Sequence, residues 1–120
     1  MSWRATKNCL AGKARDRRDL DRRAQVLLTL QLALVGEVAP PMRFISVEWS
    51  PAEIHIWVYV DGPIDDEVRD DFDATVITDM VATFAYPDQG DPKVVYDMIR
   101  CDSPERPRFQ GQVIYGRKES

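Results

Sequence analysis

The chain holds few of the residues from which catalytic and metal centres are usually built. Its 120 residues include one histidine, His55, and two cysteines, Cys9 and Cys101. One imidazole and two widely separated thiols cannot supply the ligand set of an ordinary zinc site. Two cysteines without a disulfide framework suit a reducing compartment. Glycine is scarce, with six residues, and none forms a Gly-x-Gly-x-x-Gly or Gly-x-x-x-x-Gly-Lys phosphate loop. No serine sits in a Gly-x-Ser-x-Gly elbow. No apolar run approaches the about 20 residues of a membrane span; the longest, 26–38, is broken by Thr29, Gln31 and Glu37. Leu10 and Ala11 run straight into Gly12 and Lys13. The early basic residues thus lack the apolar stretch of a secretory signal, and a cytoplasmic protein is expected.

What remains is globular in composition, 44% hydrophobic and 30% charged. A chain of this length can bury roughly 65% of its unfolded surface, enough for a core without staples. The net charge of −4 hides a strong segregation. Residues 1–23 carry eight basic and three acidic side chains, and residues 61–91 carry one basic side chain, Arg69, against ten acidic ones. An acidic block of this kind is either a solvated helix face or a surface that steers a basic partner. The basic leader lacks interleaved aromatics apart from Trp3 and sits on an acidic protein, so direct nucleic-acid binding is not expected.

Residues 1–18 read as a flexible basic segment and 19–120 as a single domain. Asp19 or Asp21 is placed to cap a helix whose apolar residues, Leu20 to Val35, fall on both faces, which predicts that the helix is well covered. Gly36 and Pro40-Pro41 end it. Met42–Trp49 alternates as a strand, Ser50-Pro51-Ala52-Glu53 turns, and Ile54–Val60 returns as its antiparallel partner. Ile54, Ile56, Val58 and Val60 line one face of that strand; His55, Trp57 and Tyr59 line the other. Asp61-Gly62-Pro63 breaks it. Val68, Phe72, Val76, Met80 and Phe84 then make the core stripe of a helix over about 64–84. Lys93–Cys101 and Phe109–Tyr115 read as two further strands, expected to pair with each other. The order αββαββ predicts an α+β domain: a four-stranded, mostly antiparallel sheet with two helices packed on it.

The chemistry-bearing residues do not assemble into a reaction centre. Asp66/Asp70 and Glu67/Asp71 are pairs one helical turn apart, but a calcium loop needs its ligands on a turning backbone. Glu48 and His55, on adjacent strands, are the only acid–base pair worth naming, and this enzymatic reading is the weakest. No catalytic residue, metal or cofactor is expected. The candidate surface is instead a partner-binding one: Asp65, Asp66, Glu67, Asp70 and Asp71 on the second helix, with Glu48, His55, Trp57 and Tyr59 on the hairpin. An alternative use of the Trp57/Tyr59 face is self-contact in a homo-oligomeric structural or adaptor protein.

Several segments carry a family resemblance. Ser46-Val47-Glu48-Trp49, Tyr59-Val60-Asp61-Gly62, the acid-rich helix, Met98 to Pro104 and Tyr115-Gly116-Arg117-Lys118 resemble small bacterial immunity proteins of contact-dependent inhibition and related polymorphic toxin systems. The resemblance covers roughly residues 30–119. It implies a non-enzymatic inhibitor that binds one cognate toxin domain, in many cases a nuclease with a basic cleft. An acidic helix that imitates a nucleic-acid backbone would suit such a target. The basic leader before residue 19 departs from the pattern.

Overall fold

A computed structural model describes residues 21–119; the flexible segment expected over 1–18 lies outside the described residues. Helix α1 occupies residues 21–34. Val26, Leu30, Ala33 and Leu34 recur at helical spacing and are buried, which gives one core-facing stripe. The expectation of a helix covered on both sides fails. Leu28, Leu32 and Val35 are 59%, 65% and 74% exposed, because the sheet lies against one side only.

Strands β1 (Met42–Trp49) and β2 (Glu53–Val60) form the antiparallel hairpin, with Val47 opposite Ile56 and Glu48 opposite His55. Its turn is fixed by Ser50, whose Oγ accepts from the Glu53 amide at 3.1 Å, a local side-chain bond of the kind that stabilises turns. Strand β3 (Lys93–Arg100) pairs parallel with β2, and β4 (Gln112–Gly116) pairs antiparallel with β1. The order is β3-β2-β1-β4, so the sheet is mixed but mostly antiparallel. The last two strands, expected as neighbours, lie on opposite edges. A strand that follows a helical crossover returns parallel to the one before it, which places β3 on the free side of β2. The chain then passes over to the far edge of β1.

The second helix comprises α2 (Asp66–Phe72), a π-helical turn (Asp73–Ile77) and α3 (Thr78–Thr83). Its core residues Phe72, Val76, Met80 and Phe84 are all at most 2% exposed. They are spaced by four, and a stripe with that period drifts around an ideal helix of 3.6 residues per turn. The wider π turn takes up the drift, and Thr78 Oγ1 donates to the Asp73 carbonyl five residues back at 3.0 Å. Both helices pack on the face made by Ile45, Val47, Ile54, Ile56 and Val58. Each fully buried aliphatic side chain contributes about 1.5–3 kcal/mol.

Candidate partner-binding surface

On the opposite face of the sheet, the chain between β3 and β4 crosses one half and leaves the other open. Phe109 packs edge-on against Phe44 and Tyr59, with centroids 4.9 and 5.5 Å away. The Tyr59 hydroxyl donates to the Arg108 carbonyl at 3.3 Å and accepts from the Gln110 amide at 3.2 Å. Tyr59 is consequently 2% exposed. It holds the crossing segment in place and offers no free surface, unlike the partner-facing role expected from its position beside Trp57.

The uncovered half holds Trp57, His55 and Glu48. The Trp57 and His55 rings stack at 4.0 Å and 7°. His55 Nε2 donates to Asp97 Oδ2 at 2.7 Å, and Nδ1 lies 3.4 Å from Glu53 Oε1. Both rings are half-buried and Glu48 is exposed. The period-two pattern of the hairpin makes this grouping, since Glu48 lies directly across from His55, and Trp57 is paired with Asp97 on β3. Among the described residues no group of three or more His, Cys, Asp or Glu could hold a metal ion.

The acidic residues of the second helix present a different surface. Asp65 is the N-cap, its Oδ1 accepting from the Glu67 amide at 2.8 Å. Asp66 and Glu67 occupy the first turn, where the positive end of the helix favours them. Asp70 and Asp71 lie further along, and all five residues are exposed. Among the described residues none of the five takes part in an ion pair. Like charges one turn apart destabilise a helix by about 0.2–0.5 kcal/mol per pair. The fold carries that cost here without an internal return.

The two groups lie on opposite faces of the sheet and adjoin at its β3 edge. Asp97 on β3 points to the ring side. Its neighbour Tyr96 points to the helix side, 5.5 Å from the Phe72 ring. Burial pushes the Tyr96 hydroxyl pKa up, with the Asp73 carboxylate adding to the effect. Arg69 from α2 joins Tyr96, Asp97 and Met98 around a shallow depression at this edge.

One cluster was missed by the sequence reading. Arg43 is 1% exposed, yet its guanidinium is fully engaged. It donates to Glu119 at 2.7 and 2.9 Å and to the carbonyls of Cys101 and Glu105 at 2.7 and 2.8 Å. Arg117 in turn donates to Asp61, to Glu119 and to the Pro40 carbonyl. Its hydrogen bond with Arg43 brings the Glu119 carboxyl pKa down to about 2, and Arg117 reinforces the shift. Asp102 accepts from the Gly62 amide at 2.7 Å, and Asp61 from the Ser103 amide at 3.2 Å. Arg43 could have been noticed as the only basic residue across 24–60. The Tyr59–Gly62 and Tyr115–Lys118 segments thus meet in space, joined by Arg117 and Asp61 at 3.1 Å. They hold the fold together at the sheet end remote from the stacked rings.

No described helix is long and apolar enough to cross a membrane. Compared with known proteins, the chain matches the family model described as MafI2 immunity protein over residues 23–119. No curated protein matches it.

Proposed function

Because the chain belongs to the MafI2 immunity protein family, we propose that it binds and neutralises a cognate bacterial toxin domain in the cytoplasm, with no catalysis of its own. A basic surface of the toxin docks on the α2 carboxylates Asp66, Glu67, Asp70 and Asp71, and reaches round the β3 edge to Glu48, His55 and Trp57. The observation that carries this reading is the row of exposed helical carboxylates without an ion pair among the described residues. Such a row attracts a basic partner and raises its association rate by about 10- to 1,000-fold. A nuclease is the target class that fits best, since its cleft is built to receive phosphates spaced along a backbone.

The test is co-expression with the toxin domain of a neighbouring gene. The full chain rescues growth, and replacing Asp66, Asp70 and Asp71 by Asn slows complex formation and flattens its salt dependence. Failure of the wild-type chain to rescue growth or to bind would refute the immunity role. The competing reading, self-contact through Trp57 and Tyr59, loses half of its surface to the burial of Tyr59.

A further inference from the structure

We infer that the concavity beside the β1–β2 turn receives the guanidinium of an arginine on the toxin, and that this contact is the anchor of the complex. The inference rests on the immunity reading and deepens it, naming the chemistry of one contact. The concavity is about 240 Å³ and is lined by Glu48, Trp49, Ser50, Glu53, His55 and Trp57. Sites for free small molecules are typically about 300–1,000 Å³ and enclose their ligand. This hollow is smaller and open, the size for one side chain presented by another surface.

Its chemistry selects a planar cation. The Trp57 ring, stacked face to face on His55, lines the hollow, and a guanidinium stacks on an indole better than an ammonium does. Asp97 and Glu53 face the two ring nitrogens of His55. They hold the imidazole in the stack, and a metal ion would have to displace them. Glu48 is different: it is exposed, stands directly across from His55, and has no ion-pair partner among the described residues. A carboxylate beside an aromatic ring accepts both N–H groups of an arginine fork. Lys93, opposite Glu53 at the strand end, and Arg23, which shares a neighbouring depression with Glu48 and donates to Gln112, are the local positive charges; Glu48 and Glu53 in the lining, with Asp97 against His55, still leave the hollow acidic. Aromatic anchors in partly walled pockets, ringed by polar groups, are where interface energy concentrates.

The test uses the full chain in two arms. In the first, N-acetyl-arginine amide is titrated into labelled protein and followed by NMR, with the citrulline and lysine equivalents as probes of charge and shape. Arginine shifts the Trp57 indole N–H and the Glu48 and His55 signals; citrulline does not, and lysine shifts them less. Glu48→Gln removes the arginine response while the rest of the spectrum stays unchanged. Equal shifts with arginine and citrulline, or none at these residues, overturn the inference. In the second arm, Glu48→Gln and Trp57→Ala are compared with wild type for binding the toxin domain. A loss of about thirtyfold is expected, as for a truncated interface anchor. If both variants bind and rescue as well as wild type, the arginine contact is refuted and the immunity role stands. If wild type itself neither binds nor rescues, the immunity role is what fails.

Discussion

Gly111 should be among the least replaceable residues in the chain. It ends the segment that crosses the ring face, just before β4 begins at Gln112. Its backbone is left-handed, with φ at +66°, and a Cβ added there would stand 2.3 Å from the Val47 carbonyl oxygen and 2.7 Å from its carbon. The left-handed conformation costs an L-residue about 1–2 kcal/mol. The collision is with backbone inside a strand, so relief requires movement of β1 itself, at about 1–3 kcal/mol for an overpacked site. Stiffening the unfolded chain returns about 0.4–1 kcal/mol. Gly111→Ala should therefore lose about 1–5 kcal/mol. Gly62 is the internal control: its φ is +85°, but nothing lies within 4 Å of its added Cβ. Gly62→Ala carries the conformational cost and the unfolded-state gain without the collision, so the difference between the variants isolates the close approach at about 1–3 kcal/mol. Urea denaturation resolves this, since slopes of about 1–3 kcal/mol per molar turn the difference into a clear shift of midpoint. Equal losses at the two glycines would refute the claim that the crossing segment is pressed onto β1.

Other expectations follow from the same geometry. Leu30→Ala should lose about 2–5 kcal/mol, as a fully buried leucine does, whereas Leu32→Glu two residues on should stay within about 0.5 kcal/mol; thermal or chemical denaturation of the pair tests which side of α1 faces the core. Acid should weaken the clamp at the sheet end. The Glu119 carboxyl is held at about 2 against an ordinary 4.5, so its contribution is present above pH 4.5 and is lost as pH falls through about 2. A stability profile against pH for wild type and Glu119→Gln should show the wild-type advantage shrinking across that window, and a constant gap would contradict the assignment.

Much of the fold was legible because it rests on local periodicity. The alternation from Met42 to Val60 reports both strands and their faces, and the spacing of Phe72, Val76, Met80 and Phe84 reports the second helix. Periodicity says which residues share a face, but not which strand lies beside which. The pairing of β3 with β2, and of β4 with β1, depends on how the chain crosses between elements, and no short window of sequence encodes that. The same limit concealed the true place of Tyr59. Its pattern puts it beside Trp57, and only the tertiary course of residues 101–111 separates a buried tyrosine from a half-open tryptophan. The partners of Arg43 were illegible for a related reason: the lone base could be noticed, but Glu119, Cys101 and Glu105 are distant in sequence and meet it only in the folded chain.

The carboxylates of this protein divide into two populations, and the division bears on function. Asp61, Asp102 and Glu119 are engaged by Arg117, Arg100 and Arg43, and they fix the loop and the C-terminal residues at one end of the sheet. Asp66, Glu67, Asp70, Asp71 and Glu48 have no such partner among the described residues. Acids serving only solubility would be mixed with bases along the surface, since interspersed charge avoids self-repulsion. Here Arg43, Arg100 and Arg117 are drawn into the structural clamp, and a set of anions is left clustered along α2, with Arg69 the one base among them, and beside the stacked rings. Clustering raises the energy of the free protein, and a partner bearing the opposite charge relieves it. On the docking proposed above, the same separation would let recognition and stability vary independently: substitutions along the α2 face would change the fit to a partner without loosening the Arg43 clamp.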